Sequence, residues 1–183
     1  MTTAWSRAWD RHALLYARTA APCTGYLAQT LFQTVAGRLP AAPRILDVAC
    51  GHGELSRQAV LHCLAARAGS GQSGSVLATD ISEEMVRLAA KRGDATYFVA
   101  NMKDIPVADG AFDMVTELFA PFNEREFARV LAPEGSLYTV VPGARHLFGL
   151  KEVLYDTPYL NDEKLPKTTE LELVGTQRVS ANI

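Results

Sequence analysis

RILDVACGHGEL, residues 44–55, begins as an apolar, β-rich run, passes through a turn with two glycines and closes as the start of a helix. A strand–turn–helix of this kind brings backbone close to a ligand at the carboxyl end of a strand. The glycines alone leave the ligand open, and one reading is that they serve only the backbone. A dinucleotide fingerprint wants G-x-G-x-x-G/A, and Ser56 at its third small position is a partial fit. The phosphate loop G-x-x-x-x-G-K is absent. Asp47 discriminates further. A carboxylate four residues before Gly51 repels a pyrophosphate and welcomes a cation, although an exposed ion pair is worth only about 1 kcal/mol.

Outward from this turn the chain alternates helices and strands. Helices are expected over residues 5–20 and 24–39, with Pro22 breaking the pattern between them. The helix opened by Glu54 runs to Ala68 and stops at the Gly/Ser stretch 69–75. Strands follow at 76–80, 95–100, 112–119 and 135–141. Between them lie helices from Ser82 to Arg92, over 123–131 and over 145–155. Ser82 is the N-cap of the first of these, with Glu83 and Glu84 in the turn where the helix dipole favours acids. Residues 171–183 form a final extended segment. Strands alternating with helices give an α/β fold with a doubly wound, Rossmann-like parallel sheet.

Composition sets the bounds. The 183 residues are 48% hydrophobic and 21% charged, with a net charge of −2, which suits one globular domain and gives no global sign of nucleic acid. A local basic face stays open. No apolar run approaches the roughly 20 residues of a membrane span, so no membrane partner is expected. The N-terminus lacks the apolar core of a signal peptide. Cys23, Cys50 and Cys63 are far apart and odd in number, with no C-x-x-C pair, so no metal site is expected and the compartment reads as reducing. The expected location is therefore intracellular, in the cytoplasm, with an organelle as the alternative suggested by the Arg-containing, acid-poor opening. Cys50, inside the glycine turn, reads as a small buried residue.

A cationic ligand with no phosphate describes S-adenosylmethionine, which carries an ammonium and a sulfonium. At this point the residues resemble the class I S-adenosylmethionine-dependent methyltransferases of the type 11/25-like kind, whose first motif is D/E-x-G-x-G-x-G. Asp47, Gly51 and Gly53 match, and Ala49 replaces the first glycine. Asp80 ends the second strand, where an acid can accept hydrogen bonds from both ribose hydroxyls; alternatively it only starts the next helix. Ile81 then packs against the adenine face. In the third element, Asn101 matches a polar position whose side-chain carbonyl accepts from the adenine amino group. The Met102 N–H faces a ring nitrogen. Ile105-Pro106 and Phe112-Asp113 match the loop and the opening of the fourth strand.

The acceptor side belongs to the ends of the fourth and fifth strands. There, residues 97–156 are similar to the ribosomal-RNA guanine methyltransferases that act on ring nitrogen 1 in the large subunit. The matching pieces are Ala120-Pro121, Ala128-Arg129-Val130, Pro142-Gly143 and Arg145-His146-Leu147. Pro121, Phe122, Arg145 and His146 are the candidate substrate-side residues. Arg145 suits a phosphate or a base edge and His146 a proton, unless both are ordinary polar residues at a helix start. The chain departs from that family in lacking its Cys/His zinc module, in Leu118-Phe119 for Ile-Tyr, and in Glu134 for the first glycine of a Pro-Gly-Gly turn.

Residues 1–43 look like the helical lid of small-molecule methyltransferases, and 44–183 like the cofactor-binding domain. The resemblance implies seven strands. Residues 171–183 can supply the sixth, and the seventh is expected to be missing, as in a truncated chain. The function implied is methyl transfer from S-adenosylmethionine, to guanine in ribosomal RNA first and to a small molecule second. A catalytically inactive binding module is the third reading. Methyl transfer needs alignment more than acid–base groups, which accounts for a sequence without a triad or metal cluster.

Overall fold

The computed structural model describes residues 4–19, 21–93 and 95–180, and the side chains within them except those of residues 21, 22, 150 and 154. Two helices open the chain, α1 (Ala4–Thr19) and α2 (Ala21–Val35). Then come β1 (Arg44–Val48), α3 (Glu54–Ser70), β2 (Ser75–Asp80), α4 (Glu83–Ala90) and β3 (Thr96–Val99). The second half is β4 (Phe112–Leu118), α5 (Glu124–Val130), β5 (Leu131–Val140) and α6 (Phe148–Leu154). The sheet runs β3-β2-β1-β4-β5 with every pair parallel. Strand order reverses between β1 and β4, and in such sheets that crevice receives the ligand.

Two apolar layers follow from the period-2 alternation of the strands. Ile45 and Met114 face α2 and α3, where they meet Ala28, Phe32, Val35, Leu55 and Ala59. Leu46, Val48 and Val115 face the other way, onto Phe127 and Val130 of α5. α2 is therefore part of the core, while α1 packs chiefly on α4.

Several boundaries differ from the sequence expectation for local reasons. α3 continues through Gly69 and ends only at Gly71, whose φ of 75° lets its N–H reach the Arg67 carbonyl. α2 begins at Ala21, so Pro22 lies in its first turn, where a missing N–H costs nothing. β5 starts at Leu131, straight from α5. It pairs Phe112 with Leu131 and Met114 with Ser136, so a bulge absorbs the Pro-Glu-Gly turn.

The expected sixth strand is not formed by the described residues 171–180, which are irregular. The start of this segment is anchored at Glu124. Its carboxylate accepts the backbone N–H groups of Thr169, Glu170 and Leu171 at 2.6, 2.7 and 3.0 Å. Leu171 packs on the α5 layer. The first N–H of the expected strand is thus satisfied by a side chain. Among the described residues no helix is long and apolar enough to cross a membrane.

Candidate functional site

The turn after β1 carries the unusual backbone. Ala49, Gly51 and Gly53 adopt φ of 57°, 54° and 85°. A Cβ on Gly53 would stand 3.0 Å from both the Ala89 Cβ and the Tyr97 hydroxyl oxygen, so the turn is pressed against α4 and β3. The turn is fastened from three sides. Cys50 N–H donates to the Thr79 carbonyl at 3.0 Å, Gly51 N–H to Asp80 Oδ2 at 2.9 Å, and Arg92 Nε to the His52 carbonyl at 3.0 Å.

Asp80 ends β2 and is 8% exposed. Its second oxygen accepts the Ser82 N–H at 2.9 Å. Burial pushes this carboxyl above its ordinary value, against the pull of the Ser82 and Gly51 N–H groups. Each carboxylate oxygen has a further lone pair, so capacity for a ligand hydroxyl remains.

Asp47 takes a different place from the one its sequence position suggested. It is 2% exposed and faces α3. Ser56 Oγ donates to its Oδ2 at 2.5 Å and Thr116 Oγ1 to its Oδ1 at 3.2 Å. Burial raises its carboxyl to about 7, with the two hydroxyls opposing. The expected direct contact between Asp47 and a cation is not what this geometry offers: the carboxylate pins β1 to α3 and β4 beneath the turn. Ser56, the partial fit at the third small position, is its main partner.

Asn101 is exposed, and its Oδ1 accepts the Lys103 N–H at 3.0 Å. Met102 lies half-buried against the α5 layer, its carbonyl taken by Asn123 Nδ2 at 2.9 Å. Ile81 is half-buried at the β2 end. These three sit at the ends of β2 and β3, beside Asp80.

Residues that the sequence did not single out complete this side. Asp10 of α1 accepts from Ser82 Oγ at 2.6 Å and from the Glu84 N–H at 3.3 Å. Tyr16 lies over the turn, 3.6 Å from where a Gly51 Cβ would stand, and meets the His52 ring edge-on at 5.9 Å. Burial, then Asp80, raises the Tyr16 hydroxyl. His52 is 5% exposed and its Nε2 has no hydrogen-bond partner. Burial and then Arg92 lower its pKa. None of these contacts has a period or spacing in sequence, since they join residues about 35 to 75 positions apart.

The ends of β4 and β5, where the sequence reading expects the acceptor, lie level with the turn: Val48 pairs with Glu117, and Glu117 with Thr139. Glu117 is 1% exposed, accepting from the Ala120 N–H and the Thr139 hydroxyl, and burial raises its pKa. Phe119 follows at φ 55°, costing roughly 1–2 kcal/mol for a residue with a side chain. Its ring lies 4.7 Å from that of His146, tilted by 34°. Arg145 is exposed, with its guanidinium 4.4 Å above the Phe148 ring. Pro121 is exposed at the same edge. Phe122 instead turns inward, edge-on to Phe127 at 5.7 Å, because the apolar layer over α5 takes it. It is half-buried, packed against the core layer.

Positive φ at a residue other than glycine occurs, among the described residues, at Ala49, Phe119 and Leu147. All three lie at the carboxyl edge of the sheet, the edge where ligands bind, and strain of this kind concentrates at working sites. The residues fit S-adenosylmethionine by their own chemistry: a carboxylate at the β2 end, a glycine turn held without side-chain bulk at the carboxyl end of β1, and a buried imidazole nitrogen still lacking a partner. Among the described residues no group of three His, Cys, Asp or Glu could hold a metal ion.

Residues 45–135 match the profile of the methyltransferase domain family. The chain is 34% identical over 180 residues to a 23S rRNA (guanine(748)-N(1))-methyltransferase of Streptomyces fradiae, covering 94% of this chain and 60% of that one. A candidate 23S rRNA (guanine-N(1)-)-methyltransferase of Bacillus subtilis (strain 168) is 30% identical over 139 residues, 75% of this chain and 45% of that one. A demethylmenaquinone methyltransferase of Bacillus licheniformis is 25% identical over 128 residues, 64% of this chain and 52% of that one. The chain spans about half the length of these relatives. A candidate S-adenosyl-L-methionine-dependent methyltransferase from Methanococcus maripaludis, solved by crystallography, shares the fold with a TM-score of 0.55. It is 19% identical, over 84% of this chain and 71% of that one.

Proposed function

Because this chain belongs to the class I S-adenosylmethionine-dependent methyltransferases, we propose that it methylates a ring nitrogen of guanine in ribosomal RNA. The observation that carries this choice of acceptor is the reach of the likeness. Similarity to the guanine methyltransferase of Streptomyces fradiae extends over 94% of the chain, against 64% for the quinone enzyme. It therefore includes the loop after β5 that holds Arg145 and His146.

When bound, S-adenosylmethionine supplies a methyl group on a sulfonium. The chain's own residues hold and orient. Asp80 serves the ribose hydroxyls, and the turn of Ala49, Gly51 and Gly53 lets the amino-acid end approach the backbone closely. Asp47 keeps that turn in place from below. Ile81, Asn101 and Met102 line the adenine side. α1 is the lid, closed through Asp10 and Tyr16. On the other side Arg145 faces a phosphate, its guanidinium making no ion pair among the described residues. Alignment of the two reactants supplies most of the rate in such a site.

The test is transfer of a labelled methyl group from S-adenosylmethionine to ribosomal RNA, read by primer extension. A methyl on guanine N1 blocks the pairing edge and stops the polymerase. A stop at one guanine, dependent on protein and cofactor, supports the reading. Labelling of demethylmenaquinol with none in RNA replaces it with the small-molecule reading, favoured by the similarity to the Bacillus licheniformis enzyme. A folded protein that binds no cofactor supports a non-catalytic module.

A further inference from the structure

We propose that His146 takes the proton from the acceptor's ring nitrogen and that Phe119, in ring contact with it, is the residue that positions it. The inference rests on the guanine reading above for the acceptor, but its geometry stands alone. His146 is half-buried, and neither ring nitrogen has a hydrogen bond among the described residues. Its backbone, in contrast, is held tightly. Asn161 Nδ2 donates to the carbonyls of Gly143 and His146 at 3.0 and 3.1 Å, and the Asn161 N–H to Ala144 at 2.9 Å. Glu163 accepts the Ala144 N–H at 2.7 Å. A loop fixed this firmly with an imidazole edge left open is arranged for a partner that comes and goes.

Phe119 supplies the ring's orientation. The Phe119 ring meets His146 in a tilted contact, and among the described residues neither imidazole nitrogen is taken up in a hydrogen bond. Phe119 sits at a left-handed φ immediately past β4, with its N–H donating to Val140 at 2.9 Å. That conformation directs the ring toward the loop after β5. By strand register it also stands beside the Ala49 turn, so the imidazole lies on the sheet edge that holds the cofactor residues. The charged groups around His146 are Arg145 and Lys151 on its own loop and helix, Glu163 paired with Arg178 on the returning segment, and Glu117 two residues before Phe119 on β4. Burial, then Lys151, lowers the His146 pKa, which keeps the imidazole neutral and able to accept at neutral pH.

The step balances. The guanine N1–H proton passes to an imidazole nitrogen, the N1 electron pair forms the new N–CH3 bond, and the broken S–C pair leaves with sulfur. The imidazolium then returns its proton to water.

NMR titration of the His146 ring in the full chain, without RNA, tests the positioning. His146 is expected to titrate below 6.5 in the wild type, to move up toward the free value in Phe119→Leu, and to return in Phe119→Tyr. Cofactor affinity and melting temperature serve as folding controls for each variant. In the RNA assay, Phe119→Leu is expected to lower kcat about tenfold with little change in KM, and His146→Gln to abolish the acidic limb of the pH–rate profile. An identical His146 titration in wild type and Phe119→Leu overturns the proposal, as does an acidic limb that survives His146→Gln. If the wild type labels no guanine at all, the guanine reading fails, while the titration still decides the role of Phe119.

Discussion

The backbone N–H of Gly51 donates to Asp80 Oδ2 at 2.9 Å, so the turn after β1 is fastened to the last residue of β2. One carboxylate thus holds the turn and faces the proposed ribose. Asp80→Ala is expected to abolish measurable S-adenosylmethionine binding by calorimetry. Asp80→Asn keeps one acceptor oxygen and is expected to bind tenfold or more weakly. Both lower the melting temperature, because an unpartnered buried N–H costs about 1–3 kcal/mol.

Asp47 makes stability depend on pH. Its carboxyl titrates at about 7 in the fold, against an ordinary value of 3.8. A raised acid binds its proton more tightly in the folded state. The stabilisation is therefore complete below about pH 4 and is lost as pH rises through about 7. Asp113, Glu126 and Glu163, held low by arginines, have the opposite slope at lower pH, but they are common to wild type and variant. Asp47→Asn is expected to be less stable than wild type at pH 5, with the gap closing or reversing at pH 8. The swing should be on the order of 3 kcal/mol at about 1.4 kcal/mol per unit. Denaturant unfolding at the two pH values measures it, and a constant gap would contradict the burial argument.

Two glycines should respond in opposite ways to alanine. Gly53 has φ of 85° and no room, with Ala89 and Tyr97 at 3.0 Å from an added Cβ. Gly53→Ala is expected to cost more than about 2 kcal/mol and to weaken cofactor binding. Gly69 lies inside α3 with nothing within 4 Å of an added Cβ. Gly69→Ala is expected to stabilise by roughly 0.5–1 kcal/mol. Chemical denaturation of both variants checks the pair.

The Asp10 carboxylate reaches Ser82 and Glu84 at the start of α4. Asp10→Ala is expected to loosen α1 and leave the sheet intact. Hydrogen exchange should rise over residues 4–19 while β1 and β4 stay protected. Cofactor dissociation should speed up several-fold in stopped-flow measurements. Unchanged exchange in α1 would mean that the latch contributes nothing to its seating.

The doubly wound fold and the glycine turn with its neighbouring acid were legible in the sequence because their signals are local. The apolar run before Asp47, the glycines at 51 and 53, and Asp80 at the end of an apolar strand each state a backbone conformation that their own residues prefer. Ser82 as an N-cap is likewise local, and its hydroxyl does accept the Met85 N–H at 3.1 Å. The sixth strand is not legible in this way: residues 171–183 have strand-like composition, yet the described residues 171–180 are irregular, and the Glu124 side chain, 47 positions away, takes the Leu171 N–H.

By itself, the sequence determined the order of strands and helices, the glycine turn and the acid at its side, since period and backbone preference act within a few residues. Tertiary structure alone decided which way each of these side chains is used. Asp47 turns down to Ser56 and Thr116 because β1, α3 and β4 enclose it. Phe122 turns inward because α5 offers an apolar layer. Tyr16 lies over Gly51, and Phe119 on His146, because elements distant in the chain meet at one edge of the sheet. Burial and neighbouring charge, which set what an ionisable group can do, exist only once that packing is in place.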